Sequence, residues 1–217
     1  MTTTASAPIR PLVLHGVKLS GHCHRVELFL SLLGLPFEYR EVDLAGGAHR
    51  KPDFLALNAF GQIPVLEDGD AVIADSNAIL VYLASRYGQG REIDWLPREP
   101  QAAARVQRWL SAAAGMLAFG PARARLKHVF GAPVDYADAV AQANRLLPVM
   151  DLEVERQPWL AGQAPTIADI ALYSYTAHAP EGAISLEPWP HVRAWLARIE
   201  SLPGFVAMPR SPDRCVS

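Results

Sequence analysis

Residues 88–100, GQGREIDWLPREP, separate two textures that one layer of secondary structure does not accommodate. Before this stretch, rich in Gly, Pro and charge, short apolar runs alternate with longer ones; after it, every long segment has helical spacing. The sequence therefore predicts an α/β domain over residues 10–88, a linker over 89–99 and an all-α domain over 100–217.

In the first part, PLVLHGV at 11–17 reads as a strand, and the apolar run 26–33 is too long and leucine-rich to be another, so it reads as a helix stopped by GLP at 34–36. FEYREVDL at 37–44 alternates as a half-buried strand does, and a short helix opens on Pro52 and runs to Asn58. IPVLED and AVIA, divided by Gly69 and Asp70, form a hairpin signal. Residues 75–87 begin with good N-cap types and continue with Ile79, Leu80, Tyr82 and Leu83 at helical spacing. The expected order is β-α-β-α-β-β-α. Helices are then expected over about 101–117, 136–155, 167–177 and 191–201. Thr166 stands three residues ahead of Asp169 before an apolar run, the pattern of a capping box whose role is structural.

The 217 residues are half apolar with a formal charge of −2, which suits a globular protein and offers no basic excess for phosphate contacts. No apolar run approaches the roughly 20 residues of a membrane-spanning helix, and MTTTASAPIRP has no signal-like apolar core, so a cytoplasmic location is expected. Cys23 and Cys215 form no disulfide framework, as in a reducing compartment.

Chemistry concentrates in LSGHCHRVEL at 19–28. Consecutive His22, Cys23 and His24 do not converge easily on one ion, and no second ligand pair follows, so a metal is not expected. Cys23 near a helix start has the setting of a reactive thiolate, but a small packed cysteine explains it equally, since Val26 occupies the place of a resolving partner. The third reading is that the stretch holds a ligand's sulfur. A hydroxyl such as that of Ser20, donating to a thiolate, contributes on the order of 1.5–3 kcal/mol, which lowers a thiol pKa of about 8.5 by one to two units.

A second group lies downstream. Asp75 and Ser76 open a helix whose free N–H groups favour an anion, so Ser76 suits a ligand carboxylate and Asp75 a ligand ammonium; both also make ordinary caps. Gln62, Ile63 and Pro64 precede the hairpin, where a cis Ile-Pro bond would turn the Ile63 peptide toward an extended ligand. His49, Arg50 and Lys51 suit a second carboxylate, or are a solvated basic turn. A ligand with an amino-acid head, a peptide middle, a thiol and a distal carboxylate matches all four elements; glutathione is one.

NAFGQIPVLEDGD, IADSNAILVYL and PTIADIAL are similar to motifs of the cytosolic glutathione transferase family, and the resemblance covers nearly the whole chain. It implies a thioredoxin-like N-terminal domain followed by an all-helical one, a detoxifying transferase that uses glutathione as co-substrate against a small electrophile, and a homodimer. By resemblance Ile63 receives the cysteinyl backbone, Asp75 and Ser76 the γ-glutamyl end, and His49 and Arg50 the glycyl carboxylate, with Gln62 a further contact and Pro64 the cis-proline. Ala59 replaces a usual proline, and Asp75 a commoner glutamate. The catalytic position is open among Ser20, ranked first, Cys23 and His22, which correspond to positions used by theta-, nu- or beta-like members. A glutathione-dependent disulfide oxidoreductase using Cys23 or bound glutathione, and a non-catalytic ligand-binding or interaction module, are the alternatives. Trp109, Met116, Phe119 and Tyr173 are core or line the electrophile pocket, while Arg105, Arg108, Arg123 and Arg125 are a solvated face or favour anionic acceptors.

Overall fold

A computed structural model describes residues 11–211, so Cys215 lies outside the described residues. The chain divides into two compact units: one runs to Glu92 and includes Pro203–Met208, and the other holds Ile93–Leu202 and the residues from Pro209 onward.

The first unit is built on strands β1 (Leu12–Gly16), β2 (Phe37–Glu41), β3 (Val65–Asp68) and β4 (Ala71–Ala74), in the sheet order β2-β1-β3-β4. β1 and β2 run parallel, joined through helix α1 (Gly21–Leu32), while β3 is antiparallel to both β1 and β4. Helices α2 (Pro52–Leu57) and α3 (Ser76–Tyr87) complete the order expected from the sequence. Leu12 and Leu14 of β1, Val26, Phe29 and Leu30 of α1, and Ile79, Leu80 and Leu83 of α3 are all 0 % exposed and form the core.

Two boundaries differ from the sequence reading. α1 starts at Gly21, five residues before the apolar run, because Ser20 accepts the Cys23 N–H and caps it. β2 stops at Glu41, after which Val42 N–H donates to Gly16 C=O and the chain turns away. The segment 203–208, which no local pattern assigns to this unit, is tied to α1: Ser31 Oγ donates to Gly204 C=O at 2.6 Å, and His24 Nε2 lies 3.0 Å from Val206 C=O.

The second unit contains α4 (Pro100–Ala112), a π-helical turn (Ala113–Leu117), α5 (Pro121–Phe130), α6 (Tyr136–Arg156), α7 (Ile167–Ala177) and α8 (Pro190–Glu200). Every residue of α7 from Ile167 to Thr176 is buried. The capping box is present, and Asp169 is enclosed completely: its Oδ1 accepts from Leu160 N–H and Trp195 Nε1, and its Oδ2 from Thr166 N–H. Arg125 contradicts the solvated-face expectation. It is 2 % exposed, donating to Glu181 Oε2 at 2.7 Å and Ser211 Oγ at 3.0 Å, since a buried guanidinium needs paired oxygens. Arg108 does reach solvent, paired with Glu153 at 2.7 Å.

Candidate functional site

The ladder brings four sequence-distant segments to one end of the sheet. Gly16 is opposite Glu41, His15 opposite Val65, and Val65 opposite Ala74. The loop carrying Ser20, the turn carrying His49, the approach through Gln62–Pro64 and the start of α3 therefore all leave from the same edge. The three strand ends (β1, β2 and β4) and one strand start (β3) gathered there follow from one parallel and two antiparallel pairings.

Ser20 uses a lone pair of its hydroxyl to accept the Cys23 N–H at 3.4 Å. A hydroxyl has one proton as well, so capping leaves its donor capacity for a ligand. The loop before it is anchored by Lys18, which pairs with Glu27 and stands 3.8 Å over the Tyr39 ring.

Cys23 is 0 % exposed and lies against β1, where a Cβ on Gly16 would stand 2.8 Å from Sγ and 2.9 Å from Tyr39 Oη. Only glycine lets α1 approach the strand this closely. Burial pushes the Cys23 thiol up to about 11, against the smaller opposing effect of the Ser20 hydrogen bond, so near neutrality it is a thiol and not a thiolate.

His22 is half-buried, with Nδ1 3.4 Å from Ser76 Oγ. Desolvation, reinforced by the charge of Arg25, lowers its pKa to about 3, leaving the ring neutral. Arg25, which the sequence reading passes over, is 1 % exposed; its Nη1 donates to Asn77 Oδ1 at 2.8 Å and Ser76 Oγ at 3.3 Å. Arg25 and His22 of α1 thus reach the first turn of α3 through polar contacts.

Asp75 caps α3 through one oxygen: Oδ1 accepts from the N–H groups of Asn77 and Ala78, each at 2.9 Å. It is exposed and has φ 75°, an uncommon value for a residue with a Cβ that Asp tolerates better than most. The helix start thus presents an exposed carboxylate beside a buried hydroxyl.

The Ile63–Pro64 bond is cis. Ile63 and Ala48 both pack on the small cluster of Val42, Phe54 and Val65. Gln62 is exposed, and its C=O accepts from Asn58 Nδ2 at 2.7 Å. Gly61, at φ 60°, passes so near the His49 turn that a Cβ there would lie 3.0 Å from His49 C=O. The turn and the Gln62 loop are thereby held side by side. His49 is half-buried with its Nδ1 enclosed and making no hydrogen bond, while Arg50 and Lys51 are exposed. These features suit a zwitterionic head at α3, an extended backbone at Ile63, a sulfur near Ser20 and an anion at His49–Arg50.

In the second unit, Trp109 and Met116, with Ala112, Leu146 and Val149 among others, line a cavity of about 370 Å³. Tyr173 instead is 4 % exposed and donates to Glu200 Oε1 at 3.0 Å, so it belongs to the core, whereas Phe119 is half exposed.

Residues 19–86 match the family model for the glutathione S-transferase N-terminal domain, and residues 110–203 that for the C-terminal domain. Glutathione S-transferase 3 of Zea mays is 38 % identical over 208 residues, covering 90 % of this chain and 91 % of the relative. The crystal structure of a glutathione S-transferase from Pseudomonas fluorescens superposes with a TM-score of 0.86 at 35 % identity, covering 93 % of this chain and 100 % of that one. A glutathione transferase homologue from Drosophila mojavensis, crystallised with bound glutathione, gives a TM-score of 0.77 at 29 % identity over 89 % of each chain.

Proposed function

The chain belongs to the glutathione S-transferase family and is an enzyme that uses glutathione as co-substrate, and from that premise we propose that Ser20 activates the thiol. Glutathione lies along the shared end of the sheet, with its γ-glutamyl ammonium on Asp75, its γ-glutamyl carboxylate on Ser76, its cysteinyl backbone against Ile63 beside Pro64, and its glycyl carboxylate at His49 and Arg50. Gln62, exposed next to Ile63, adds a polar contact. The Ser20 hydroxyl donates to the sulfur and stabilises the thiolate, which then attacks a small electrophile. Catalysis consists of thiol activation and juxtaposition of the two reactants.

The observation that carries this reading is the geometry of Ser20, whose lone pair caps α1 and whose proton a ligand thiolate would draw more strongly than the buried, neutral Cys23 thiol beside it. The burial and raised pKa of Cys23 disfavour the alternative in which this cysteine forms a mixed disulfide with glutathione. His22, neutral and directed at Ser76, is better suited to orienting that hydroxyl than to holding the sulfur.

Titrating the ultraviolet absorbance of enzyme-bound thiolate in wild type and Ser20→Ala tests the assignment. The bound thiol pKa is expected to rise by about one to two units in the variant; an unchanged value removes Ser20 from the mechanism. We also propose a homodimer, to be checked by light scattering at graded concentration, and a cytoplasmic location, to be checked by cell fractionation. Among the described residues no helix is long and apolar enough to cross a membrane.

A further inference from the structure

The buried arginine behind the start of α3 has no role in the binding scheme above. Arg25 is 1 % exposed, and its Nη1 reaches Ser76 Oγ at 3.3 Å and Asn77 Oδ1 at 2.8 Å. A side chain so enclosed does not itself meet a ligand in solvent; its reach toward the site is through Ser76 and Asn77. We infer that Arg25 is a positioning residue that makes the start of α3 select a ligand carboxylate over a neutral group.

The argument has three steps. Donation from Nη1 occupies a lone pair of Ser76 Oγ, so the single hydroxyl proton is directed away from Arg25. His22 Nδ1 and an incoming ligand are the acceptors on that side, and a carboxylate is the stronger one. The guanidinium charge, held in a low-dielectric setting, adds to the positive end of α3, so the same place that offers a hydroxyl proton also carries a positive potential. Asp75 at the rim supplies the opposite sign. The juxtaposition reads a zwitterion by its two charges: an ammonium outside, on Asp75, and a carboxylate further in, over Ser76 and Arg25.

This inference rests on the assignment of the γ-glutamyl end to Asp75 and Ser76, and a probe lacking only that carboxylate, γ-aminobutyryl-cysteinyl-glycine, separates the two. Steady-state kinetics with this tripeptide and with glutathione are measured for wild type, Arg25→Gln and Arg25→Lys. Wild type is expected to have a KM about tenfold or more higher for the tripeptide. In Arg25→Gln the glutathione KM rises by about the same factor, the tripeptide KM stays close to wild type, and the change falls on KM rather than kcat. Arg25→Lys, which keeps the charge, retains part of the preference. Should Arg25→Gln fail to fold, Arg25→Lys carries the test alone: a preference reduced by about threefold or more supports the role, because lysine loses the reach to both oxygens, and an unreduced one overturns it. An Arg25→Gln enzyme that keeps the full preference, or loses equally on both thiols, overturns the role of Arg25 and leaves the γ-glutamyl assignment standing. A wild type that does not distinguish the two thiols overturns both.

Discussion

Helices α3 and α7 both have a carboxylate in their N-terminal cap, Asp75 as the capping residue itself and Asp169 as the partner that closes the Thr166 capping box, and the two beginnings are built for different ends. At α7, Asp169 is sealed: both oxygens accept from protein donors on three separate segments, at Leu160, Thr166 and Trp195. At α3, Asp75 is exposed, spends one oxygen on its own first turn, and stands beside a hydroxyl already tied from behind by Arg25. The same short-range chemistry thus gives a structural joint where all donors are consumed and a receptor where some are left over. Local sequence identifies a cap; only the surroundings decide which kind it is.

The largest effect that sharpens this contrast is expected at the sealed cap. Asp169→Ala strands buried N–H groups of Leu160, Thr166 and Trp195, and at about 1–3 kcal/mol per orphaned donor the total loss of stability is about 3 kcal/mol or more. Urea unfolding measures it. A loss below about 1 kcal/mol would mean the joint is no more than an ordinary cap.

Asp75→Asn makes the opposite separation. Asn caps as well as Asp and tolerates a positive φ, so unfolding free energy should move by less than about 0.5 kcal/mol, while the lost charge weakens glutathione binding by about tenfold. Calorimetric titration with glutathione supplies the second value. Equal affinity in the variant and wild type would make Asp75 a cap of the α7 kind, despite its exposure.

The cap and its neighbour are only partly legible in the chain. Thr166 and Asp169 are close in sequence, and so are Asp75 and Ser76, so their capping is readable from spacing alone. Arg25 and Ser76 are 51 residues apart, and in HCHRVEL the arginine looks like an ordinary polar position on an apolar helix. Arg125 misleads in the same way, because Glu181, 56 residues later, turns a charged helix face into a buried pair. The position of Cys23 near a helix start speaks for a thiolate, but the cancelling fact, its burial against Gly16 on β1, depends on how α1 lies on the sheet. The β-α-β-α-β-β-α succession was readable because each of its elements is announced by local periodicity, whereas the sheet order β2-β1-β3-β4 rests on pairings between distant strands. The attachment of 203–208 to the first unit was not, since it rests on contacts to α1 from the far end of the chain.

His22 gives a smaller effect, visible only as a slope. In the unfolded chain it titrates near 6.5, and in the fold near 3, so between these values the unfolded state binds more protons. Stability should therefore fall as pH drops from 6.5 toward 3, and His22→Asn should show a shallower fall over the same window. Parallel slopes in the two proteins would place the ring in a more polar setting than its contacts with Ser76 and Arg25 indicate.

The smallest expected effect is at Cys23. With a thiol raised to about 11 and no exposed surface, it should resist iodoacetamide at neutral pH until the protein unfolds, and Cys23→Ala should keep activity within about twofold. Peptide-level mass spectrometry after brief exposure tests the first statement. Labelling as fast as in the unfolded chain would return Cys23 to the list of reacting groups.

The contrast between sealed and open caps is tested most directly by a crystal structure with glutathione bound. The account predicts the γ-glutamyl carboxylate on Ser76, the ammonium on the unspent oxygen of Asp75 and the sulfur within hydrogen-bond reach of Ser20 Oγ, with Cys23 still enclosed. A γ-glutamyl end bound away from the start of α3, or a sulfur nearer Cys23 than Ser20, would contradict it.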